Sequence, residues 1–321
     1  MAPRRHALCA IITLLVFSPA PTLQAQENLQ TYLNRLMRGR RGAVVISNPG
    51  TGQVLALWHP RTAFEEAFPP GSAAKLVASA AALEEGVVSP SDRIFCRRIP
   101  ELLGGTYHCS HPPPEEPFTL ASALANSCNY FFVELAGRLS SAALAHWYAV
   151  FGFGVPTGQE TAGQVRVPTD LRGKALAALG EGSVTATPAQ LLLAYSALAM
   201  HGRAFRLERS SGHANPASLL RTVRLQPRTY EVLEAGLEEC VRSGTCQAAA
   251  VPGVRVAGKT GTATALDGSG ATHAWFVGYA PAGSPEVALV VFLERGTGMH
   301  NAAPLAGEIL NHYFGQRSHK P

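Results

Sequence analysis

Charge is what this chain has least of. Asp, Glu, Lys and Arg make up 15% of its 321 residues, against about 25% in a typical soluble domain. Lysine is scarcer still: four of the 27 basic residues are Lys (Lys75, Lys174, Lys259 and Lys320) and the rest are Arg. The basic clusters, Arg38 to Arg41 and Arg97-Arg98, are short and carry no interleaved aromatics, so the net charge of +5 does not describe a nucleic-acid face. A chain with so little charge and 46% apolar residues is not disordered. There is no heptad run, collagen period or tandem repeat. Past the N-terminus, no apolar stretch approaches the roughly 20 residues that a bilayer crossing takes. There is also no CxxC pair and no His at metal-ligand spacing, which argues against a zinc site.

The N-terminus reads as an export signal. Arg4 and Arg5 give a positive start, Ala7 to Phe17 is apolar, Pro19 and Pro21 break the run, and Leu23-Gln24-Ala25 offers a small residue for cleavage before Gln26. An uncleaved anchor is the alternative. Residues 1–25 are therefore expected to be a signal peptide, and the mature protein to be exported, periplasmic or extracytoplasmic, tethered to the inner membrane if cleavage fails. Five cysteines would remain: Cys96, Cys109, Cys128, Cys240 and Cys246. Their pairing is not fixed by sequence. Short spacing in an oxidising compartment favours Cys96–Cys109 and Cys240–Cys246, with Cys128 free.

What is abundant is patterned. Residues 27–38 read as a short amphipathic helix. Ala43 to Ile46 and Val54 to Leu57 are apolar runs joined by Asn48-Pro49-Gly50-Thr51-Gly52, a hairpin signal. Ser72 to Glu85, Thr119 to Leu139 and Pro188 to His201 are Ala- and Leu-rich and helical in texture. Strands return at Val254 to Ala257, Ala274 to Tyr279 and Val287 to Leu293, before a last helix from about Pro304 to Phe314. Strands at both ends with helices between them predict one sheet drawn from both termini, and tight turns favour antiparallel pairing.

Three short motifs carry chemistry. Ser72-Ala73-Ala74-Lys75 follows Pro69-Pro70-Gly71, so the serine stands where a helix begins and the lysine one turn below it. A serine hydroxyl needs a neighbouring base, and a lysine serves when its pKa is lowered. An N-capping serine with a solvated lysine is the plain alternative. The apolar helix Leu76, Val77 and Ala78 is a poor place for an idle charge. Ser127-Cys128-Asn129 sets a hydroxyl and an amide between two apolar stretches; a helix break bonding its own backbone would look the same. Lys259-Thr260-Gly261-Thr262 places a charge and two hydroxyls at the end of the run Val254 to Ala257, where a strand-end turn is the alternative.

Taken together, in this order, SxxK, SxN and KTG resemble the penicillin-binding protein and serine β-lactamase superfamily. Leu124 to Asn129, Phe151-Gly152-Phe153-Gly154, Leu179-Gly180-Glu181-Gly182, Thr187-Pro188-Ala189-Gln190 and Ala274 to Tyr279 also look like segments of its transpeptidase domain. The resemblance covers about 43–314. It implies a mixed α/β (α+β) fold, a mostly antiparallel sheet flanked by helices plus an all-helical lobe. The sheet lobe would take about 43–66 and 215–314 and the helical lobe about 67–214, with 26–42 a helix and linker and 315–321 a tail.

By the same resemblance Ser72 is the acylated nucleophile, Lys75 its base and Ser127 a proton relay. Asn129 binds the donor peptide, Lys259, Thr260 and Thr262 hold the substrate carboxylate or assist proton flow, and Gly261 belongs to the same substrate-binding motif. The oxyanion hole would be the backbone N–H groups of Ser72 and Thr262. The implied substrates are D-Ala-D-Ala stem peptides of peptidoglycan, with β-lactams as inhibitors and no metal or organic cofactor. Few residues precede the first strand, so a stand-alone catalytic domain is expected, with any cell-wall assembly partners unknown. The competing readings are a D,D-carboxypeptidase, a β-lactamase and a non-catalytic penicillin sensor or scaffold. For a β-lactamase, the best candidate to position a deacylating water is Glu160, in Gly158-Gln159-Glu160-Thr161, which lacks the context of that family.

Overall fold

A computed structural model describes residues 27–155, 162–209 and 217–316. The expected signal peptide and Glu160 lie outside the described residues. The chain opens with helix α1 (Leu29–Leu36), capped by the Asn28 side chain. The hairpin β1 (Gly42–Ser47) and β2 (Val54–Trp58) follows, then the short α2 (Pro60–Phe64). A 3-10 turn, Gly71–Ala74, leads into α3 (Lys75–Glu84). The helical part continues with α4 (Leu120–Ala125), α5 (Asn129–Arg138), α6 (Ser141–Val150), α7 (Leu171–Ala178) and α8 (Pro188–Ala199). The small hairpin β3 (Arg203–Phe205) and β4 (Leu219–Thr222) and the long α9 (Pro227–Arg242) come next. The chain closes with β5 (Ala257–Thr264), β6 (Thr272–Ala280), β7 (Val287–Leu293) and α10 (Ala303–Gly315).

The main sheet has five strands in the order β2-β1-β7-β6-β5, all neighbours antiparallel. Strands from both ends of the sequence therefore share one sheet, as expected, and meet at β1 and β7. Successive side chains on a strand point to opposite faces. In β1, Val44 and Ile46 join the core under α1 and α10, while Ala43 and Val45 join the core shared with the helical part. In β7, Leu289 and Val291 divide from Val290 and Phe292 in the same way. A sheet covered on both faces explains why these strands read as continuous apolar runs rather than alternating ones.

Helix α8 is buried along its whole length, between the sheet and the other helices. Its start is fixed by a capping box between Thr187 and Gln190 with Pro188 in the first turn. The Tyr195 hydroxyl, one turn from its end, donates to the carbonyl of Ala73 at 2.8 Å and so ties this helix to the 3-10 turn that carries Ser72.

Two expected elements are corrected. The helical stretch Thr119 to Leu139 is two helices, because Ser127 takes a left-handed backbone (φ 53) between α4 and α5. The run Val254 to Ala257 is not a strand: Val251–Val254 is a tight turn closed by a bridge between its ends, Arg255 and Val256 are irregular, and the strand begins at Ala257. Lys259 to Thr262 therefore lie inside a strand rather than beyond its end.

Candidate active site

The three motifs converge on one cleft of about 530 Å³. A larger hollow of about 850 Å³, lined by Val251, Asn311 and Phe314 among others, holds none of the motif residues.

The nucleophile's turn is held from two sides by backbone. Gly71 has φ 53, and a Cβ there would fall on the carbonyl oxygen of Thr262. Its N–H donates to Gly180 O at 2.9 Å. A Cβ on Gly261 would stand 2.5 Å from Pro70 O, so glycine is needed for the strand to pass this close. The indole of Trp275, paired with Gly261 across β5 and β6, donates to Pro69 O at 2.9 Å. Ser72 is half-buried and lines the cleft.

Lys75 is wholly buried in the first turn of α3. Its Nζ donates to the Ser127 carbonyl at 2.8 Å, to Ser127 Oγ at 3.2 Å and to Asn129 Oδ1 at 2.6 Å. Three protons of an ammonium thus meet three acceptors. Burial lowers its pKa to about 8, against the pull of the neighbouring cysteines in the other direction. The strained turn at Ser127 is what aims both its carbonyl and its hydroxyl at Lys75; a non-glycine residue held there costs on the order of 1–3 kcal/mol. Asn129 Nδ2 donates to Tyr107 O at 3.0 Å. Its amide therefore joins Lys75 to the 107–108 backbone, while the residue still borders the cleft.

Lys259 is also wholly buried, donates to Thr260 O at 3.1 Å, and has its pKa pushed well down by burial and then by the charge of Lys75. The cleft itself is bordered by Thr260 and Thr262, not by Lys259 or Gly261. Thr260 Oγ1 lies 2.7 Å from Thr245 Oγ1, and Thr262 Oγ1 accepts from Gly298 N at 3.0 Å. β5 is the edge strand, and Thr264 N–H leaves the sheet to reach the Glu181 carboxylate at 3.2 and 3.3 Å. Amides two residues apart point the same way along a strand. Thr262 N–H therefore faces the same open edge, beside Gly71 and Ser72.

Glu181 is a cleft residue that motif reading passed over as a mere family-like segment. It is 5% exposed, and burial raises its carboxyl to about 7, partly offset by the Thr264 N–H. The signal was the glycine on each side: Gly180 (φ 74) packs on the Gly71 carbonyl, and Gly182 (φ 68) completes the turn. Tyr107 and Thr245 border the same space without any motif to announce them.

The cysteines divide. Cys240 and Cys246 are disulfide-bonded with Cα atoms 5.0 Å apart, as expected. The expected Cys96–Cys109 bridge is not formed: the sulfurs are 3.6 Å apart, far beyond the ~2.05 Å of a bond. Cys128 is not alone either, with its sulfur 3.8 Å from that of Cys109. Cys109 is lowered to about 3 chiefly by the hydrogen bond from Cys128, which is itself pushed up, and burial raises Cys96. His111 brings a fourth donor to this buried group, so side chains able to ligate a metal meet here although sequence spacing argued against a zinc site.

Comparison with known proteins agrees with this geometry. The family model described as the penicillin-binding protein transpeptidase domain matches residues 42–311. The chain belongs to the penicillin-binding protein transpeptidase-domain family. A relative in this family, the peptidoglycan D,D-transpeptidase MrdA of Acinetobacter baumannii, is 26% identical over 93% of this chain and 54% of its own length. The D,D-transpeptidase domain of a peptidoglycan glycosyltransferase from Eggerthella lenta matches with TM-score 0.77 and 25% identity over 90% of this chain and 81% of that one. Penicillin-binding protein A from M. tuberculosis, solved as a ceftriaxone acyl-enzyme complex, matches with TM-score 0.74 and 25% identity over 87% and 76%. The chain spans about half the length of the curated relatives it matches. Among the described residues no helix is long and apolar enough to cross a membrane.

Proposed function

We propose that this protein is an exported D,D-transpeptidase that cross-links peptidoglycan stem peptides ending in D-Ala-D-Ala through a Ser72 acyl-enzyme, and that β-lactams acylate the same serine. One observation carries the reading: a wholly buried Lys75, one turn from Ser72, hydrogen-bonded to both the hydroxyl and the carbonyl of Ser127 and to Asn129. A lysine so placed is poised to lose its proton near neutrality.

Neutral Lys75 takes the proton of Ser72 Oγ as that oxygen attacks the scissile carbonyl carbon. The oxyanion receives hydrogen bonds from the N–H groups of Ser72 and Thr262; each such preorganised donor lowers the barrier by about 3–4 kcal/mol. The proton on Lys75 passes through Ser127 Oγ, 3.2 Å away, to the amine of the departing terminal D-Ala. The acceptor amine then attacks the ester carbonyl, gives up its proton by the reverse path and releases Ser72. The hydroxyls of Thr260 and Thr262 hold the terminal carboxylate of the donor peptide, and the buried Lys259 side chain braces the strand from behind.

The test is labelling with a fluorescent penicillin, followed by the rate of label loss. The wild-type protein should label once per chain and keep the label for hours, and Ser72→Ala, with an unchanged circular-dichroism spectrum, should not label. Stoichiometric labelling of the Ala variant would overturn the serine assignment. Loss of label within seconds would make the protein a β-lactamase. Stable labelling without stem-peptide turnover would make it a sensor.

A further inference from the structure

Behind the Ser127–Asn129 motif, four donors meet in a pocket closed to water. The sulfurs of Cys96, Cys109 and Cys128 and a ring nitrogen of His111 all lie within 4.8 Å of one another, and all four residues are buried. Cys96 Sγ is 3.6 Å from Cys109 Sγ and 3.6 Å from His111 Nε2, and Cys109 Sγ is 3.8 Å from Cys128 Sγ. In a tetrahedral zinc site with Zn–S of ~2.3 Å and Zn–N of ~2.0 Å, ligand atoms stand roughly 3.5–3.8 Å apart. These three spacings match such edges, the whole group lies within 4.8 Å, and the sulfurs are too far apart for any disulfide. The imidazole is already set for the part. His111 Nδ1 lies 2.7 Å from the Pro112 carbonyl, which makes Nδ1 the protonated nitrogen and leaves the Nε2 lone pair directed at the sulfurs.

We propose that Cys96, Cys109, Cys128 and His111 bind one four-coordinate zinc ion. Three soft sulfurs and an imidazole select a zinc-type cation over the hard, oxygen-seeking magnesium or calcium. On binding, each sulfur that is still protonated releases its proton to solvent, and the filled Cys3His coordination leaves no position for water or substrate, so the ion is structural. The proposal goes beyond the transpeptidase reading and stands or falls without it.

The consequence for the fold lies in what the four residues join. Cys96 and the Cys109–His111 limb belong to the long excursion between α3 and α4, which is closed at its base by the Ile94–Phe118 bridge. Cys128 is the N-cap of α5, between Ser127 and Asn129, and its sulfur accepts from Phe131 N. Between the two halves of the excursion lie Tyr107 and His108, whose carbonyls receive the Asn129 side chain. One ion would thus fasten the loop that walls the cleft to the turn that holds Lys75. The sequence concealed this because the ligands follow no compact motif and come together only when α5 packs against the excursion.

The full chain, purified from the exported fraction without chelator, is assayed for metal by mass spectrometry and for thiols by a chromogenic disulfide. One zinc per chain is expected, with the three thiols unreactive until a chelator or mercurial removes the ion. A fall in melting temperature should accompany that removal and reverse on adding zinc. Cobalt added to the stripped protein should give the intense visible bands of a tetrahedral thiolate site, a readout that needs no variant to fold. Cys96→Ser and His111→Ala, neither of which lines the cleft, should drop the zinc content well below one. Three freely reactive thiols with no zinc or cobalt taken up would overturn the proposal, and so would a Cys96–Cys109 bridge found by peptide mapping.

Discussion

On one side of the cleft Ser72 and Lys75 open one helical segment and Ser127 and Asn129 precede and open another, and hydrogen bonds from the buried Lys75 side chain join the two. On the other side Thr260 to Thr264 come from a single strand, positioned by backbone pairing with Thr272–Ala280. The helical wall depends on single atoms: remove the Lys75 ammonium and three acceptors are orphaned at once. The strand wall depends on register, which eight paired residues share and no single side chain sets. The first wall is therefore where substitution should cost most in catalysis. The second should yield mainly to changes in what braces it.

The sharpest way to break this asymmetry is Lys75→Ala. Removing the base should slow acylation by about 10²–10⁴-fold, the range of a positioned general base. In the wild-type protein the acylation rate should rise with pH and level off above about 8, as the buried lysine loses its proton. Stopped-flow acylation by a chromogenic cephalosporin between pH ~6 and ~10 measures both. A flat profile, or a rate in the variant within a few-fold of wild type, would show that another group takes the serine proton.

How much of this was legible beforehand follows the same division. That one antiparallel sheet draws its strands from both ends of the chain, and the three motifs themselves, were readable, because apolar runs and short contiguous patterns are local properties of a chain. The break at Ser127 was legible only as an alternative: the Ala- and Leu-rich texture of Thr119 to Leu139 favours one helix, and tertiary bonds from Lys75 to the Ser127 carbonyl override it. The start of β5 was misplaced because Lys259 to Thr262, with a glycine and a charge, lacks β-propensity; the strand exists because Trp275, Phe276 and Val277 pair with it. The pairing of Cys240 with Cys246 was legible from spacing. The trio of Cys96, Cys109 and Cys128 was misread by that same rule, since proximity in sequence says nothing of a third sulfur delivered by α5.

The strand wall is best probed through its brace. Cys240 and Cys246 close the end of α9 and hold Thr245 between the two walls. Its N–H donates to Ala125 O at 3.2 Å, and its hydroxyl lies 2.7 Å from that of Thr260. Replacing both cysteines by Ala should lower unfolding free energy by about 2 kcal/mol, the lower end for a disulfide because the loop is short. Urea denaturation gives that figure. Acylation should slow less than tenfold, far less than in Lys75→Ala. A larger kinetic than thermodynamic effect would mean that the strand wall is as dependent on single contacts as the helical one.

An effect that shows only as a pH dependence is expected where the walls touch, at Glu181, which accepts from Thr264 N–H on the strand. Burial raises its carboxyl from 4.5 to about 7, so the folded protein holds this proton more tightly than the unfolded chain does. A proton favoured by the folded state stabilises it while bound; that stability is lost as pH rises from about 4.5 through 7. Glu181→Gln keeps an oxygen for the Thr264 N–H but has nothing to ionise. Between about pH 5 and about pH 8 the wild type should therefore lose on the order of 2–3 kcal/mol relative to the variant, at one pKa unit per ~1.4 kcal/mol. Urea melts of both proteins at the two pH values give the difference directly. An unchanged difference would mean that Glu181 ionises like a carboxylate in water, and that the contact between the walls is open to solvent rather than sealed.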